Sequence, residues 1–115
     1  ADNFISKSAT GTGSAAAVYT VPTANLASTP PVQPTTAVIK GIRLSNQKGG
    51  AVTTTVSAFD NSNSDLEIPL FKESLADGSE KEILSEGVPF ILEEADAIKI
   101  LGTGVRILIS IMEIK

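Results

Sequence analysis

The chain has 115 residues, a formal net charge of −4, 42% hydrophobic residues, and neither cysteine nor histidine. That length suits a single domain spanning 1–115, whose one core would bury roughly two thirds of the surface exposed by the unfolded chain. Without Cys or His there is no disulfide framework, no thiolate metal site and no base-activated nucleophile, and the scattered Lys and Arg form no basic stripe for nucleic acid.

No apolar run approaches the roughly 20 residues that a membrane helix needs. No basic segment followed by an apolar stretch opens the chain, so the expectation is a soluble protein made in a reducing cytoplasm, with no membrane partner. The apolar side chains are mainly Val, Ile, Leu and Ala. The aromatics are Phe4, Tyr19, Phe59, Phe71 and Phe90, which predicts a core of branched aliphatics.

In chain order, Ala15 to Val21 reads as a first strand that stops at Pro22, since proline is tolerated at a strand terminus. Val38, Ile42 and Leu44 alternate with Ile39, Gly41 and Arg43. The run Asn46 to Gly50 follows and predicts a hairpin into the strand AVTTTVSAF. There Val52, Val56 and Ala58 point one way and Thr53, Thr55 and Ser57 the other. After the polar loop Asp60 to Asp65, Leu66, Ile68 and Leu70 share one face of a strand that Pro69 assigns to a sheet edge or a bulge. Ala76-Asp77-Gly78 turns the chain. Short strands are then expected at Glu82 to Leu84, Val88 to Leu92 and Ala97 to Leu101, and a long one from Val105 to Ile114. Helical periodicity is weak throughout. Strands at roughly ten-residue spacing predict an all-β protein, a two-sheet antiparallel β-sandwich of jelly-roll or immunoglobulin-like type. Its expected core is Val38, Ile42, Leu44, Val52, Val56, Leu66, Ile68, Phe90, Ile98, Ile100, Ile107 and Ile109.

Two stretches fit this pattern less simply. Thr23 to Thr36 is longer than an ordinary connection, and Pro30, Pro31 and Pro34 favour extended backbone with a reach of about 3 Å per residue. With only Leu26 and Val32 as sizeable apolar side chains, the tract 23–36 is expected to be an extended loop or binding arm that a partner orders. In the last strand, Val105, Ile107, Ile109 and Ile111 form one apolar row, while Leu108, Met112 and Ile114 give the opposite face a second. The outer face of a sandwich layer normally meets water, so the second row predicts a cover, either the chain's own tract or another subunit. The candidate partner interface is therefore Leu26, Pro30, Pro31, Val32 and Pro34 with Leu108, Met112 and Ile114.

The sequence offers no catalytic, cofactor-binding or metal-binding set that survives inspection. Ser45-Asn46-Gln47-Lys48 has the S-x-x-K spacing, but that motif needs a helix start and companion motifs, and this copy falls on a predicted turn. Asp60, Ser62 and Ser64 alternate as in a calcium loop, yet Asp65 stands where Gly is required and Phe71 where the bidentate Glu belongs. Glu93, Glu94 and Asp96 would ligate Ca²⁺ or serve as an acid and base pair only in a concave site, and otherwise read as a solvated turn. Gly11 to Ser14 and Gly102 to Gly104 lack the Lys and following helix of a phosphate loop and read as tight turns.

VYTVP, AVIKGIRLSN followed by a Gly turn and AVTTTVSAFD, then ILEEADAIKI and ILISIMEIK, together resemble small virion structural proteins of tailed bacteriophages, particularly marine and cyanobacterial ones. The resemblance covers residues 15 to 115. This chain departs from it by the long tract at 23–36 and by Leu92-Glu93-Glu94-Ala95-Asp96, where similar sequences show an L-E-A-G-D-like turn. The resemblance implies a non-catalytic β-sandwich of the virion. The expected role is a capsid decoration or cement protein, made in the host cytoplasm and bound to the major capsid protein and to sister copies. A neck, tail or fibre module, acting in host binding or as an adaptor, is the alternative.

Overall fold

The computed structural model describes residues 3–83 and 90–114. Among these residues nine strands run β1 Asn3–Thr10, β2 Ala16–Thr20, β3 Thr36–Asn46, β4 Val52–Asp60, β5 Leu66–Leu75, β6 Glu80–Glu82, β7 Phe90–Leu92, β8 Ala97–Leu101 and β9 Val105–Ile114. One layer has the order β1-β9-β3-β6, with β7 also paired to β3, and the other has β2-β8-β4-β5. All pairings are antiparallel. Since β6 and β7 lie along successive parts of one edge of β3, they act as one interrupted strand. The chain then pairs first strand with last, second with second-last, and so inward to β4 with β5. This is a long folded hairpin wrapped into two four-stranded layers, the jelly-roll arrangement.

The alternation legible in the sequence is the force that closes the two layers. On β9, Val105, Ile107, Ile109 and Ile111 are 0 to 2% exposed, and they pack with Ile42 and Leu44 of β3, Val56 of β4, and Ile98 and Ile100 of β8. Each such side chain contributes roughly 1.5–3 kcal/mol when fully buried. Aliphatic β-branched residues suit this layer because their stiff side chains stand well on a pleated surface.

Three expectations are corrected. The run Asn46 to Gly50 does not make a hairpin, because β3 and β4 belong to different layers, and the segment is an arch between them. Its anchor is Asn46, fully buried, whose Nδ2 donates to the Gly50 and Leu75 carbonyls at 2.9 Å each and whose Oδ1 accepts from the Lys48 amide at 3.0 Å. A buried amide with its bonding capacity used in this way ties the arch to the end of β5 at little net cost. The second correction concerns Val38. A bulge at Lys40 shifts the register between Ile39 and Gly41, so Ala37 and Ile39 face inward before it and Ile42 and Leu44 after it. Val38 is left half-buried on the outer face. An inserted residue reverses the side-chain phase, and simple alternation does not reveal it.

The third correction is on β5. It is an edge strand and carries a bulge at Leu70 opposite Val56 and Ser57, both of which Pro69 suggested. The bulge sends Phe71 and Leu75 into the core, and Leu66 and Ile68 remain 50% and 46% exposed at the rim. Val52 and Phe90 are only partly buried against the core. Strand β1 has no signal in the sequence, because its large apolar residues Phe4 and Ile5 are adjacent and give no alternation. The expected strand ends at Leu84 and at Val88 and Pro89 lie outside the described residues.

Truncating Ile107 or Ile109 to Ala removes part of the central inner row and is expected to lower stability by about 2–5 kcal/mol. Urea unfolding followed by circular dichroism measures this. A loss below about 1 kcal/mol would show that the row does not carry the core.

Candidate functional site

The carboxylates of Glu93, Glu94 and Asp96 lie at one end of the sandwich and do not converge on a cleft. Asp96 is only 8% exposed, so it is not the solvated turn residue expected. Its Oδ1 accepts the Asn61 amide and its Oδ2 the Glu93 amide, each at 2.9 Å. Its backbone carbonyl accepts the Val21 amide at 2.9 Å. One residue thus joins the end of β2, the β4–β5 loop and the β7–β8 turn. Both carboxylate oxygens satisfy backbone donors that would otherwise be unpaired where three segments meet. Ala95, the residue before it, has φ of 65°, a left-handed conformation that costs an L-residue roughly 1–2 kcal/mol.

Glu94 has a separate task. Its Oε2 accepts the Ala24 amide at 2.9 Å, fixing the start of the proline-rich tract. From there the tract doubles back. Asn25 and Val32 exchange two backbone hydrogen bonds of 2.8 Å, and the Ser28 hydroxyl lies 2.8 Å from the Asn25 carbonyl oxygen and 2.7 Å from that of Pro30. The straight extended arm expected from the prolines is replaced, over 25–32, by a closed loop held by its own backbone. Leu26, Pro30, Pro31, Val32 and Pro34 are all exposed on it.

The remaining motifs resolve into turns. Asp60 to Asp65 holds a short 3-10 turn at Asn61–Asn63, after which Ser64 and Asp65 take positive φ. The Ser62 hydroxyl donates to Asp60 Oδ1 and the Asn61 amide group to Asp65 Oδ1, so these side chains close the loop on itself. Ser45 is the second-last residue of β3 and Lys48 sits in the following arch, with no helix between them. Gly11 to Ser14 and Gly102 to Gly104 pack on each other. The Gly102 amide donates to the Thr12 carbonyl and the Gly104 amide to that of Gly11. A Cβ on Gly11 would stand 2.3 Å from the Gly102 carbonyl oxygen, which explains glycine there by close backbone approach. Among the described residues no group of three acidic side chains is placed to hold a metal ion.

The predicted second row of β9 lies on the outer face of its layer. Leu108 and Ile114 are 46% and 37% exposed and Met112 is half-buried, so the proline-rich tract does not cover them. Register extends this row sideways. Phe4 of β1 stands opposite Met112, Met112 opposite Val38 of β3, and Val38 opposite Ile91 of β7. Phe4 and Ile91, 73% and 65% exposed, end an apolar stripe that crosses the whole layer, about 14 Å at the usual strand spacing. Alternation along the sequence does not mark Phe4, Val38 and Ile91 as surface residues, and only the pairing of strands distant in sequence brings them into one line. Beside the stripe the face turns polar, with Ser6 opposite Ser110 and Ser110 opposite Gly41. Further along, Arg43 contacts Glu80 and Glu82 at 3.3 Å. These pairs are exposed and contribute little to stability.

A second polar feature lies inside. Glu113 continues the inner row of β9 and is only 7% exposed. The Tyr19 hydroxyl donates to its Oε2 at 2.6 Å. Burial, and then the hydrogen bond and charge of Glu113, push the Tyr19 phenol well above its ordinary value of 10.0.

No protein-family model matches the chain, and no curated protein matches it. Among solved structures, it is similar to a protein described in "Bacillus endospore appendages form a novel family of disulfide-linked pili". The identity is 18% and the TM-score 0.51, over 98% of this chain and 85% of that one. The likeness shows a shared fold. A chain in a structure of infectious bursal disease virus Gt strain aligns at 8% identity and a TM-score of 0.27, over 99% of this chain and 31% of the other. No helix among the described residues is long and apolar enough to cross a membrane.

Ala95→Gly is expected to raise stability by about 0.5–1 kcal/mol, because the relief of left-handed strain exceeds the added freedom of the unfolded chain. Unchanged or lower stability in thermal unfolding would contradict the turn geometry. Tyr19 is the only tyrosine, so absorbance at alkaline pH reports it alone. Its titration midpoint in the folded protein is expected above 10.0. A raised folded value means that this contribution to stability is present below the unfolded value and is lost as pH rises through the folded one. A midpoint at or below the ordinary value would refute the burial of the pair.

Proposed function

We propose that this chain is a non-catalytic structural component of a virion, a decoration protein that docks on the outside of a tailed-phage head through the outer face of the β1-β9-β3 layer. The apolar stripe Phe4, Met112, Val38 and Ile91 carries this reading. A layer face that meets only water has no use for such a row, and burial against another protein gives it one. The major capsid protein is the partner in this reading, with sister copies as neighbours. Leu26 and Val32, exposed on the loop that Glu94 anchors, give a second contact. The pilus-forming protein of similar fold is described as disulfide-linked. This chain has no cysteine and would hold its neighbours by non-covalent burial alone.

Met112→Lys places a charge in the middle of the stripe without touching the core. It is expected to weaken attachment to particles at least tenfold, about 1.4 kcal/mol, while the isolated protein keeps its circular dichroism spectrum and melting temperature. Counting copies on purified particles supplies the check. Hundreds per particle support a shell protein, a dozen or fewer place the chain in the neck, tail or fibre, and undiminished attachment of the variant removes the stripe from the interface.

A further inference from the structure

Strands β1 and β2 are edge strands of their respective layers, and they approach each other along the same side of the sandwich. Between them is an open cleft of about 440 Å³, within the range of ligand sites. Glu113 and Tyr19 line it with Ile5, Val18, Pro22 and Lys7, the last of them exposed. The carboxylate of Glu113 sits where β9 would otherwise continue its row of Val and Ile. Its one hydrogen-bond donor among the described residues is a neutral phenol, and no Lys or Arg of those residues lies within 4.0 Å of it. A negative charge withdrawn from water and met by a single neutral donor is costly unless a cation joins it.

We propose that this cleft receives a lysine side chain carried by an extended segment of a partner protein. The ammonium group meets the Glu113 carboxylate, and the four-carbon stem lies against Ile5, Val18 and Pro22, the division of polar head and apolar stem that lysine has. The backbone of the segment has a place as well. Among the described residues strand β1 is paired only with β9 and β2 only with β8, so within them each borders the cleft with an unpaired edge. Strand β1 runs eight residues without proline. An unpaired edge of that length accepts an added strand, whose main-chain bonds supply affinity while a side-chain pocket supplies selection. Charge complementarity singles out a basic segment over an apolar one. The proposal stands apart from the outer-face stripe, since it involves a different side of the sandwich and different residues.

The test uses the folded protein labelled with ¹⁵N and a blocked pentapeptide, Thr-Val-Lys-Val-Thr, against its norleucine counterpart. Amide shifts confined to residues 3–7, 18–22 and the neighbourhood of Glu113 are expected with the lysine peptide. Binding is expected to be at least tenfold weaker with the norleucine peptide and with Glu113→Gln. Tyr19→Phe keeps the carboxylate and should keep the preference for lysine, which secures the test if the Gln variant folds poorly. Equal binding of the two peptides, loss of the preference in Tyr19→Phe, or no shifts up to millimolar peptide would each overturn the proposal. So would lysine binding that appears only when Lys7 is replaced by Met, since Lys7 would then be the resident cation.

Discussion

The fold depends on the antiparallel contact between β3 and β9, the two central strands of one layer, and on the apolar row each sends toward the other layer. Ile39, Ile42 and Leu44 from β3 and Val105, Ile107, Ile109 and Ile111 from β9 are almost wholly withdrawn from water. Their ladder extends from Thr36 opposite Ile114 to Asn46 opposite Val105. The first of these strands begins far from the second in sequence, so closing this ladder fixes most of the chain's topology. Everything else hangs on it: β1 adds to the outer side of β9, and β6 and β7 add to the outer side of β3.

The two ends of the sandwich are held by polar side chains because the backbone there has left the ladders. At one end Asn46 joins the β3–β4 arch to the end of β5, and at the other Asp96 joins three segments. Both residues are buried, and both spend their side-chain bonds mainly on backbone groups. A jelly roll makes such staples necessary, since most of its connections cross between layers and cannot satisfy their own amides and carbonyls as a hairpin does. The acidic cluster that looks like chemistry in the sequence is therefore architecture, with Asp96 as a staple and Glu94 as the anchor of the proline-rich loop.

Two surfaces stand out against this frame, and they differ in kind. The stripe from Phe4 to Ile91 is apolar, shallow and broad, suited to lying against another protein. The cleft beside β1 is open and carries a buried carboxylate, Glu113, in its lining, suited to a cationic side chain. Strand β1 contributes to both, with Phe4 outward and Ile5 inward, as period-two alternation requires.

By itself the sequence determined the all-β class, most strand positions after residue 15 and the inner row of β9, because alternation and turn residues are local and each is visible within about ten positions. It also marked Pro69 as an edge or bulge residue, since a proline cannot donate to a ladder wherever the strand lies. Only the tertiary structure decided the facing of Val38 and Ile39, where a single inserted Lys40 reverses the phase, and the place of β1, whose sequence has no alternation to show. Tertiary structure alone also turned Asn46 to Gly50 from a hairpin into an arch. The line through Phe4, Met112, Val38 and Ile91, and the meeting of Tyr19 with Glu113, 94 residues away, depend on pairing between strands far apart in sequence. That pairing is set by how the whole chain closes on its core, a property no short stretch of residues contains.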